Sequence, residues 1–258
     1  MLQLPGPVFN TLGDYQGDPM ISVSGAKTYP TAGRIDMLTV AVSGGPGRDI
    51  YASQALGALI NGQQTVVPSE AYYPLDTTRE DVTESNAVEM SSSQDVAIAA
   101  AMGQMDKSYS VHLSVDEVVA DAPAQGKLRK GDRLMSVNGK KLDSDPQAAQ
   151  IMSKTVQESD SVEVGIERDG KKKTITLTPA EVDDRKAIGI TMKQDFEFPV
   201  DVKFNVDGVG GPSAGTMFAL AIIDELTPGA MTGGKHVAGT GEITPGGTVG
   251  PTGGARQK

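Results

Sequence analysis

The sequence has no cysteine, no tryptophan and only two histidines among its 258 residues. Without cysteine there can be no disulfide bond and no thiolate metal ligand. The two histidines, His112 and His236, lie far apart and form no HExxH motif, so no zinc hydrolase and no metal site is predicted. Positive charge is also scarce, because 23 Lys and Arg stand against 33 Asp and Glu. A net charge of −10 argues against nucleic acid as a partner.

Long apolar runs are missing as well. No stretch of about 18 apolar residues is present, so no membrane span is predicted, and no signal peptide is visible. Both ends of the sequence look abrupt, which predicts a fragment of a longer protein. With 38% hydrophobic residues, the chain can form one or two domains with a sizeable core.

Strand and helix patterns alternate in the first third of the chain. Arg34–Ser43 is rich in β-branched residues and predicts a strand. Asp49–Ile60 predicts a short helix, and Ser91–Met105 predicts a helix that begins at serine caps. This alternation is typical of an α/β domain.

The pattern changes at about Lys107. Short β-branched strands follow, then a helix that begins near Asp145 and Pro146, then a hairpin that turns at Asp169-Gly170. After this block the earlier strand and helix pattern returns. We therefore predict that the middle block is an insertion into a larger α/β domain.

A glycine-rich turn, Gly208–Gly211, separates a predicted strand from an apolar helix over Ser213–Leu226. A serine at a helix start is well placed for a nucleophile, because the free N–H groups of the first turn can hold an oxyanion. Backbone N–H groups around Gly211, Pro212 and Ala214 are the candidate donors. The alternative interpretation is that Ser213 only caps the helix.

Three other motifs are matched in part or without the context that they need. Gly211–Gly215 fits the G-x-S-x-G elbow of α/β-hydrolases, but too little chain follows for the Asp and His of that fold. Gly208–Ser213 lacks the third glycine of G-x-G-x-x-G. Gly229–His236 ends in His where a P-loop needs Ser or Thr. We therefore predict no ATP and no other cofactor.

Lysine remains as the base for Ser213. A lysine can take a serine proton when burial lowers its pKa, and Ser–Lys dyads are a known variant of the catalytic triad. The candidates from position in the chain are Lys203, Lys235 and Lys258. Composition does not choose among them.

Two separated segments resemble the proteolytic domain of Lon proteases. They are DGVGGPSAGTMFALAIIDELTPG and VAGTGEITPGGTVGPTGGARQK, the second of which fits TGEIT-x-x-G-x-V-x-P-x-GG followed by a lysine. The resemblance implies Ser213 as nucleophile, Lys258 as its base and Thr240 as a hydrogen-bond partner of the lysine. Gly210 stands where many Lon enzymes have Asp. Because Lys258 is the last residue, we expect it to be solvated and the fragment to be weakly active or inactive.

The middle block resembles a PDZ domain through VDEVVADAPAQGKLRKGDRLMSVNGKKL. Such domains bind a peptide as an added strand. The resemblance places the carboxylate-binding loop near 107–111, although no GLGF-like sequence is present there. The implied peptide-binding residues are Ser110, Val111, His112 and Leu113.

Taken together, the segments resemble the PDZ-containing Lon-like proteases of Gram-positive bacteria. The resemblance implies an α/β Lon-type proteolytic domain over 1–106 and 187–258, interrupted by a PDZ domain, a small barrel-like sheet with a helix, over 107–186. It implies an ATP-independent serine endopeptidase that cleaves unfolded or membrane-associated proteins, with protein or peptide substrates. It also implies an anchor at the extracytoplasmic face of the membrane, absent from this chain, and a homo-oligomeric ring. The alternative is a catalytically silent PDZ scaffold that binds peptides.

Overall fold

The computed structural model describes residues 1–60, 62–182 and 185–258. The chain divides into two compact units. Unit 1 consists of Met1–Lys107 together with Pro199–Lys258, and unit 2 is Ser108–Phe198. The predicted insertion, 107–186, begins at nearly the same residue but ends 12 residues earlier than unit 2 (198 − 186 = 12).

The secondary structure elements are numbered along the chain. The strands are β1 (Leu2–Asn10), β2 (Asp14–Tyr15), β3 (Asp18–Pro19), β4 (Ile21–Ser24), β5 (Arg34–Ser43), β6 (Thr65–Val66), β7 (Ser110–Val118), β8 (Arg133–Val137), β9 (Lys140–Lys141), β10 (Val162–Arg168), β11 (Lys171–Leu177), β12 (Ala180–Val182), β13 (Arg185–Ala187), β14 (Ile190–Glu197), β15 (Asp201–Phe204) and β16 (His236–Gly239). The helices are α1 (Ala52–Ile60), α2 (Arg79–Gln104), α3 (Ala148–Glu158) and α4 (Gly215–Leu226), with 3₁₀ turns at Ser69–Ala71 and Pro212–Ala214.

Unit 1 contains a four-stranded sheet in the order β16-β5-β1-β6. Strand β1 is antiparallel to β5 and β6, whereas β16 is parallel to β5. Helices α2 and α4 pack against each other. The alanine-rich end of α2, from Ala97 to Met102, is buried, as are Phe218 and Ile222 of α4. The apolar helix that begins after the glycine turn is therefore a core helix, as its sequence predicts.

Helix α2 starts at Arg79, ahead of the serine caps predicted at 91–93, and runs unbroken to Gln104. Thr78 and Asp81 form a capping box in which the Thr78 hydroxyl accepts from the Asp81 N–H, at 3.1 Å, and Asp81 accepts from the Thr78 N–H, at 2.8 Å. The serines at 91–93 lie inside the helix. No helix among the described residues is long and apolar enough to cross a membrane.

Unit 2 is built around a sheet in the order β11-β10-β8-β7-β14, with β9 paired to β8. Its core includes Leu113, Leu134, Met152 and Ile166. The hairpin β10–β11 turns at Asp169 and Gly170, whose φ angles of 54° and 70° are those of the predicted two-residue turn. Strand β14 belongs to this unit because it pairs with β7 along its whole length, which explains why unit 2 extends to Phe198.

Candidate functional site

Ser213 lies in the 3₁₀ turn that leads into α4. The preceding Gly211 has a φ of 90°, a left-handed conformation that glycine adopts without steric cost. The next residue, Ala214, is buried and fixes the turn against the core. The local sequence therefore places the Ser213 side chain at the start of a rigid, buried helix.

The turn is held by hydrogen bonds from two other segments. The hydroxyl of Ser93 on α2 donates to the Pro212 carbonyl oxygen, at 3.0 Å. The Ser213 carbonyl oxygen accepts from the Gly241 N–H, at 2.8 Å, and from the Thr240 hydroxyl, at 3.0 Å. Because the carbonyl groups of Pro212 and Ser213 are both held by hydrogen bonds, the backbone of Ser213 is pre-organised.

Lys258 reaches Ser213 from the far end of the sequence. Its Nζ lies 2.8 Å from Ser213 Oγ, 2.9 Å from Thr240 Oγ1 and 2.5 Å from Thr252 Oγ1. The structure thus brings together the three residues that the Lon resemblance implied and adds Thr252, which the sequence interpretation missed. The other two candidate bases, Lys203 and Lys235, have exposed side chains.

The environment of Lys258 differs from the solvated state that its terminal position suggested. Partial burial lowers the pKa of the Lys258 amine, and the Glu242 carboxylate opposes this by favouring the charged form. The adjacent Gln257 is 6% exposed, and its side-chain amide donates to Thr65 Oγ1 at 2.7 Å. The lysine is therefore anchored beside β6 rather than free in solvent.

Ser213 and Lys258 line a cleft of about 970 Å³ within unit 1. One wall is formed by β5, and the rim carries both aromatic and charged side chains. They include Tyr72, Tyr73, Arg79 and Glu242. The cleft is large enough to admit an extended chain or a small molecule to the Ser213 hydroxyl.

Two of the predicted oxyanion donors are lost. The Gly211 N–H is directed at the Asn86 carbonyl oxygen of α2, at 3.4 Å. Pro212 has no N–H. Gly210, which stands in place of Asp, packs so close to α2 that an added Cβ would lie 2.7 Å from the Cβ of Asn86. The turn is therefore shaped by contact with α2.

The predicted peptide-binding residues of unit 2 lie in an inner strand. Ser110–Leu113 form the start of β7, which pairs there with Gln194–Glu197 of β14. On the opposite edge the Val111 carbonyl oxygen accepts from the Ser144 N–H, at 3.0 Å. The four residues therefore lie between β14 on one side and the segment at Ser144 on the other, and β14 rather than β7 ends the strand order.

His112 is part of a polar cluster instead. Its Nδ1 lies 2.6 Å from Arg133 Nη2 and 3.3 Å from Asp143 Oδ1. A guanidinium only donates hydrogen bonds, so Nδ1 accepts here. Burial alone would raise the pKa of Asp143, but the hydrogen bond and charge of Arg133 together with the contact from His112 outweigh it, and the pKa is lowered. The cluster joins β7 and β8 to the segment after β9.

The open edge of the sheet is β14, which ends the strand order. Beside it lies a groove of about 530 Å³ whose other wall is α3. Met152 and Val156 of α3 face Ile190 and Met192 of β14 across this groove, so its lining is largely apolar. In the described part of the chain, unit 2 therefore offers a strand at the end of its sheet and an apolar channel along that strand.

The loop before β14 closes one end of the groove. Gly189 has a φ of 74°, and an added Cβ would lie 2.0 Å from the Cβ of Ala122. The carbonyl oxygens of Ile188 and Gly189 accept from the N–H groups of Ala124 and Val119, both at 2.9 Å. In the sequence this loop is Ile188-Gly189-Ile190, a glycine between two apolar residues directly before a strand. The sequence interpretation did not single it out.

Comparison with known families finds a PDZ domain over residues 87–178. The chain therefore contains a PDZ domain with mixed α/β content, as predicted. The match starts within α2 and ends before β14, whereas the compact unit is Ser108–Phe198. Strand β14 therefore lies within the compact unit but outside the matched residues.

Among curated proteins, a putative zinc metalloprotease of Mesorhizobium japonicum is 33% identical over 86 residues. The matched segment covers 33% of this chain and 23% of the relative, so the chain spans less than a quarter of that protein. Among solved structures, the PDZ domain of the SdrC-like protein of Listeria monocytogenes is 22% identical with a TM-score of 0.28, covering 31% of this chain and 85% of that domain. The PDZ domain of the SdrC-like protein of Listeria innocua is 21% identical with a TM-score of 0.28, covering 31% and 92%.

These comparisons do not support the resemblance to Lon proteases, and no Lon-type proteolytic domain is shown by them. They also contradict the prediction of a Lon-type serine endopeptidase, because the curated relative is named for a different protease class. That prediction is corrected accordingly. Within 1–60, 62–182 and 185–258 no group of three or more His, Cys, Asp or Glu side chains is placed to hold a metal ion. What the comparisons establish is a chain that carries a PDZ domain.

Proposed function

We propose that unit 2 binds an extended peptide in the groove between β14 and α3. The observation that carries this proposal is that β14 ends the strand order of the described sheet and lies beside an apolar groove of about 530 Å³. PDZ domains add a peptide as a further strand at a sheet edge, where backbone hydrogen bonds give affinity and pockets select alternate side chains. This function matches the alternative of a peptide-binding module.

The lining of the groove sets the preferred peptide. Apolar walls from Met152, Val156 and Met192 favour apolar side chains at alternate peptide positions. Arg185 and Lys186 precede the Gly189 loop and line the groove, and the Lys186 amine is already paired with Asp160. A free peptide carboxylate beside this loop would be stabilised by the Arg185 guanidinium.

A random ten-residue peptide library with free C termini tests the proposal. The protein should enrich peptides with apolar residues near the C terminus, and fluorescence anisotropy should show that the enriched peptides bind. Met192→Lys places a charge in the groove and should abolish binding. Thr191→Lys is the matched control, because Thr191 is the exposed neighbour on the same strand. A library that enriches nothing, or equal binding by both variants, would exclude this site.

A second candidate function concerns the hydroxyl of Ser213. We propose that Ser213 is a nucleophile and that Lys258 is its base, since Nζ lies 2.8 Å from Oγ. Burial lowers the pKa of Lys258 and so favours the neutral amine that can take the proton. Reactivity of this hydroxyl does not by itself assign a protease class.

A fluorophosphonate probe tests this reactivity directly. Ser213 Oγ would bond to phosphorus while its proton passes to Lys258 Nζ and fluoride leaves. The parent protein should become labelled, and Ser213→Ala and Lys258→Met should not. Labelling of all three proteins at one rate would show that another group reacts. Assembly into a homo-oligomer and an extracytoplasmic location stay predictions from the resemblance.

A further inference from the structure

Thr252 lies closer to the Lys258 amine than either predicted partner. Its Oγ1 is 2.5 Å from Nζ, compared with 2.8 Å for Ser213 Oγ and 2.9 Å for Thr240 Oγ1. The motif TGEIT-x-x-G-x-V-x-P-x-GG leaves position 252 unspecified, so this contact was not implied by any resemblance. We propose that Thr252 is a positioning residue that holds the Lys258 amine with its lone pair facing Ser213.

The argument starts from the hydrogen-bonding capacity of the amine. An ammonium group has three N–H donors and no acceptor, whereas a neutral amine has two donors and one lone pair. Three hydroxyl oxygens surround Nζ of Lys258. In the neutral state, two of them must accept from the amine and one must donate to it. Which hydroxyl donates decides whether Ser213 is activated.

The threonine hydroxyls have other acceptors for their own hydrogens. The Thr240 hydroxyl donates to the Ser213 carbonyl oxygen, at 3.0 Å, so its oxygen is left to accept from Lys258. The Thr252 hydroxyl faces the Gly253 carbonyl oxygen, at 3.4 Å. With both N–H groups of the neutral amine taken by threonine oxygens, the lone pair is left for the Ser213 O–H.

The backbone fixes Thr252 and Lys258 relative to each other. The Gly250 N–H donates to the Glu242 carbonyl oxygen, at 2.9 Å, which holds the segment before Thr252 against the strand-like segment at 242–244. The Gln257 N–H donates to the Gly254 carbonyl oxygen, at 2.9 Å, and closes the turn before Lys258. The contact between Thr252 and Lys258 therefore spans a short, hydrogen-bonded loop.

This inference rests on the proposed reactivity of Ser213, and the fluorophosphonate assay can separate the two. The labelling rate is measured between about pH 6 and pH 10, a range below the usual lysine pKa of about 10.4. The proteins are the parent, Thr252→Val, Thr252→Ser and Thr248→Val. Thr248 is an exposed threonine in the same loop and serves as the matched control.

Thr252→Val should label at least ~10-fold more slowly at its best pH, because the amine is no longer held in its productive orientation. The midpoint of its pH profile should move to lower pH, since the ammonium form loses an acceptor. Thr252→Ser should restore the parent rate and midpoint, and Thr248→Val should change neither.

Two results would overturn the inference in different ways. If the parent labels at Ser213 but Thr252→Val labels equally fast with the same pH profile, Thr252 does not position the amine. Faster labelling of Thr252→Val would show that the Thr252 hydroxyl competes with Ser213 for the lone pair. If the parent itself is not labelled at Ser213, the proposed reactivity fails and the inference fails with it.

Discussion

Arg168 and Asp132 form a two-pronged ion pair in unit 2, with Nε 2.6 Å from Oδ1 and Nη2 2.6 Å from Oδ2. The Asp132 side chain is 1% exposed and that of Arg168 is 15% exposed. Asp132 also accepts from the backbone N–H of Arg129, at 2.8 Å. The pair therefore ties the hairpin β10–β11 to the loop before β8, and it satisfies a buried carboxylate.

Replacing Arg168 by Met should destabilise unit 2 by about 3 kcal/mol or more, because the Asp132 carboxylate is left buried without its partner. Urea unfolding followed by circular dichroism measures this loss. Lys172→Met on the same hairpin is the control, since its side chain is exposed and its replacement should cost less than about 0.5 kcal/mol. Equal unfolding midpoints for the two variants would show that the ion pair contributes nothing.

The same pair predicts how stability depends on pH. Burial alone would raise the pKa of Asp132, but the hydrogen bonds from Arg168 and from the Arg129 N–H, together with the positive charges of both arginines, outweigh it and hold that pKa below its usual value. A carboxyl whose pKa is lower in the folded state stabilises the protein above its unfolded pKa of about 3.9, and this stability is lost as the pH falls through the folded pKa. The difference in unfolding free energy between the parent and Arg168→Met should therefore be largest near neutral pH and shrink below about pH 4. A constant difference down to pH 2.5 would contradict this prediction.

The parts of unit 2 that the sequence could predict are local. Asp169-Gly170 favours a two-residue hairpin turn, and the structure forms that turn between β10 and β11. The edge strand was not predictable in the same way. Ile190 of β14 pairs with Val118 of β7, which lies 72 positions earlier in the sequence, so only long-range pairing defines the proposed peptide groove. The position of the groove therefore needed the sheet order.

The site around Ser213 likewise combines contacts that the sequence could suggest with contacts that it could not. Ser213, Thr240 and Lys258 stand at motif positions, so a resemblance could suggest them, and the structure brings them within hydrogen-bonding distance. Thr252 occupies an unspecified motif position, and its contact with Lys258 depends on the turn at 254–257. Burial of Lys258 depends on the neighbouring Gln257, which binds Thr65 about two hundred positions away in the sequence. Neither contact leaves a pattern in the local sequence.

Gly189→Ala should destabilise unit 2 and abolish peptide binding. Its φ of 74° is a conformation that alanine adopts only with strain, and an added Cβ would lie 2.0 Å from the Cβ of Ala122. Gly126→Ala is the matched control, because its φ is also 74° but nothing lies within 4 Å of an added Cβ. We expect Gly126→Ala to cost about 1 kcal/mol and Gly189→Ala at least twice as much. Thermal unfolding measures both, and equal melting temperatures would show that Ala122 yields without cost.

Glu242 offers a test of the serine site that leaves every hydroxyl partner of Lys258 in place. Its carboxylate favours the ammonium form and so raises the pKa of Lys258, against the lowering caused by burial. Glu242→Gln removes that charge, and the pKa of Lys258 should fall further. Because only the neutral amine takes the proton of Ser213, the rate of fluorophosphonate labelling should rise with pH and reach half its maximum at a lower pH in Glu242→Gln than in the parent. Raising the salt concentration should shrink the difference between the two pH midpoints, since Glu242 is exposed and its charge is screened.

A midpoint that moves to higher pH in Glu242→Gln, or one that does not move at low salt, would show that the Lys258 amine does not control the reactivity of Ser213.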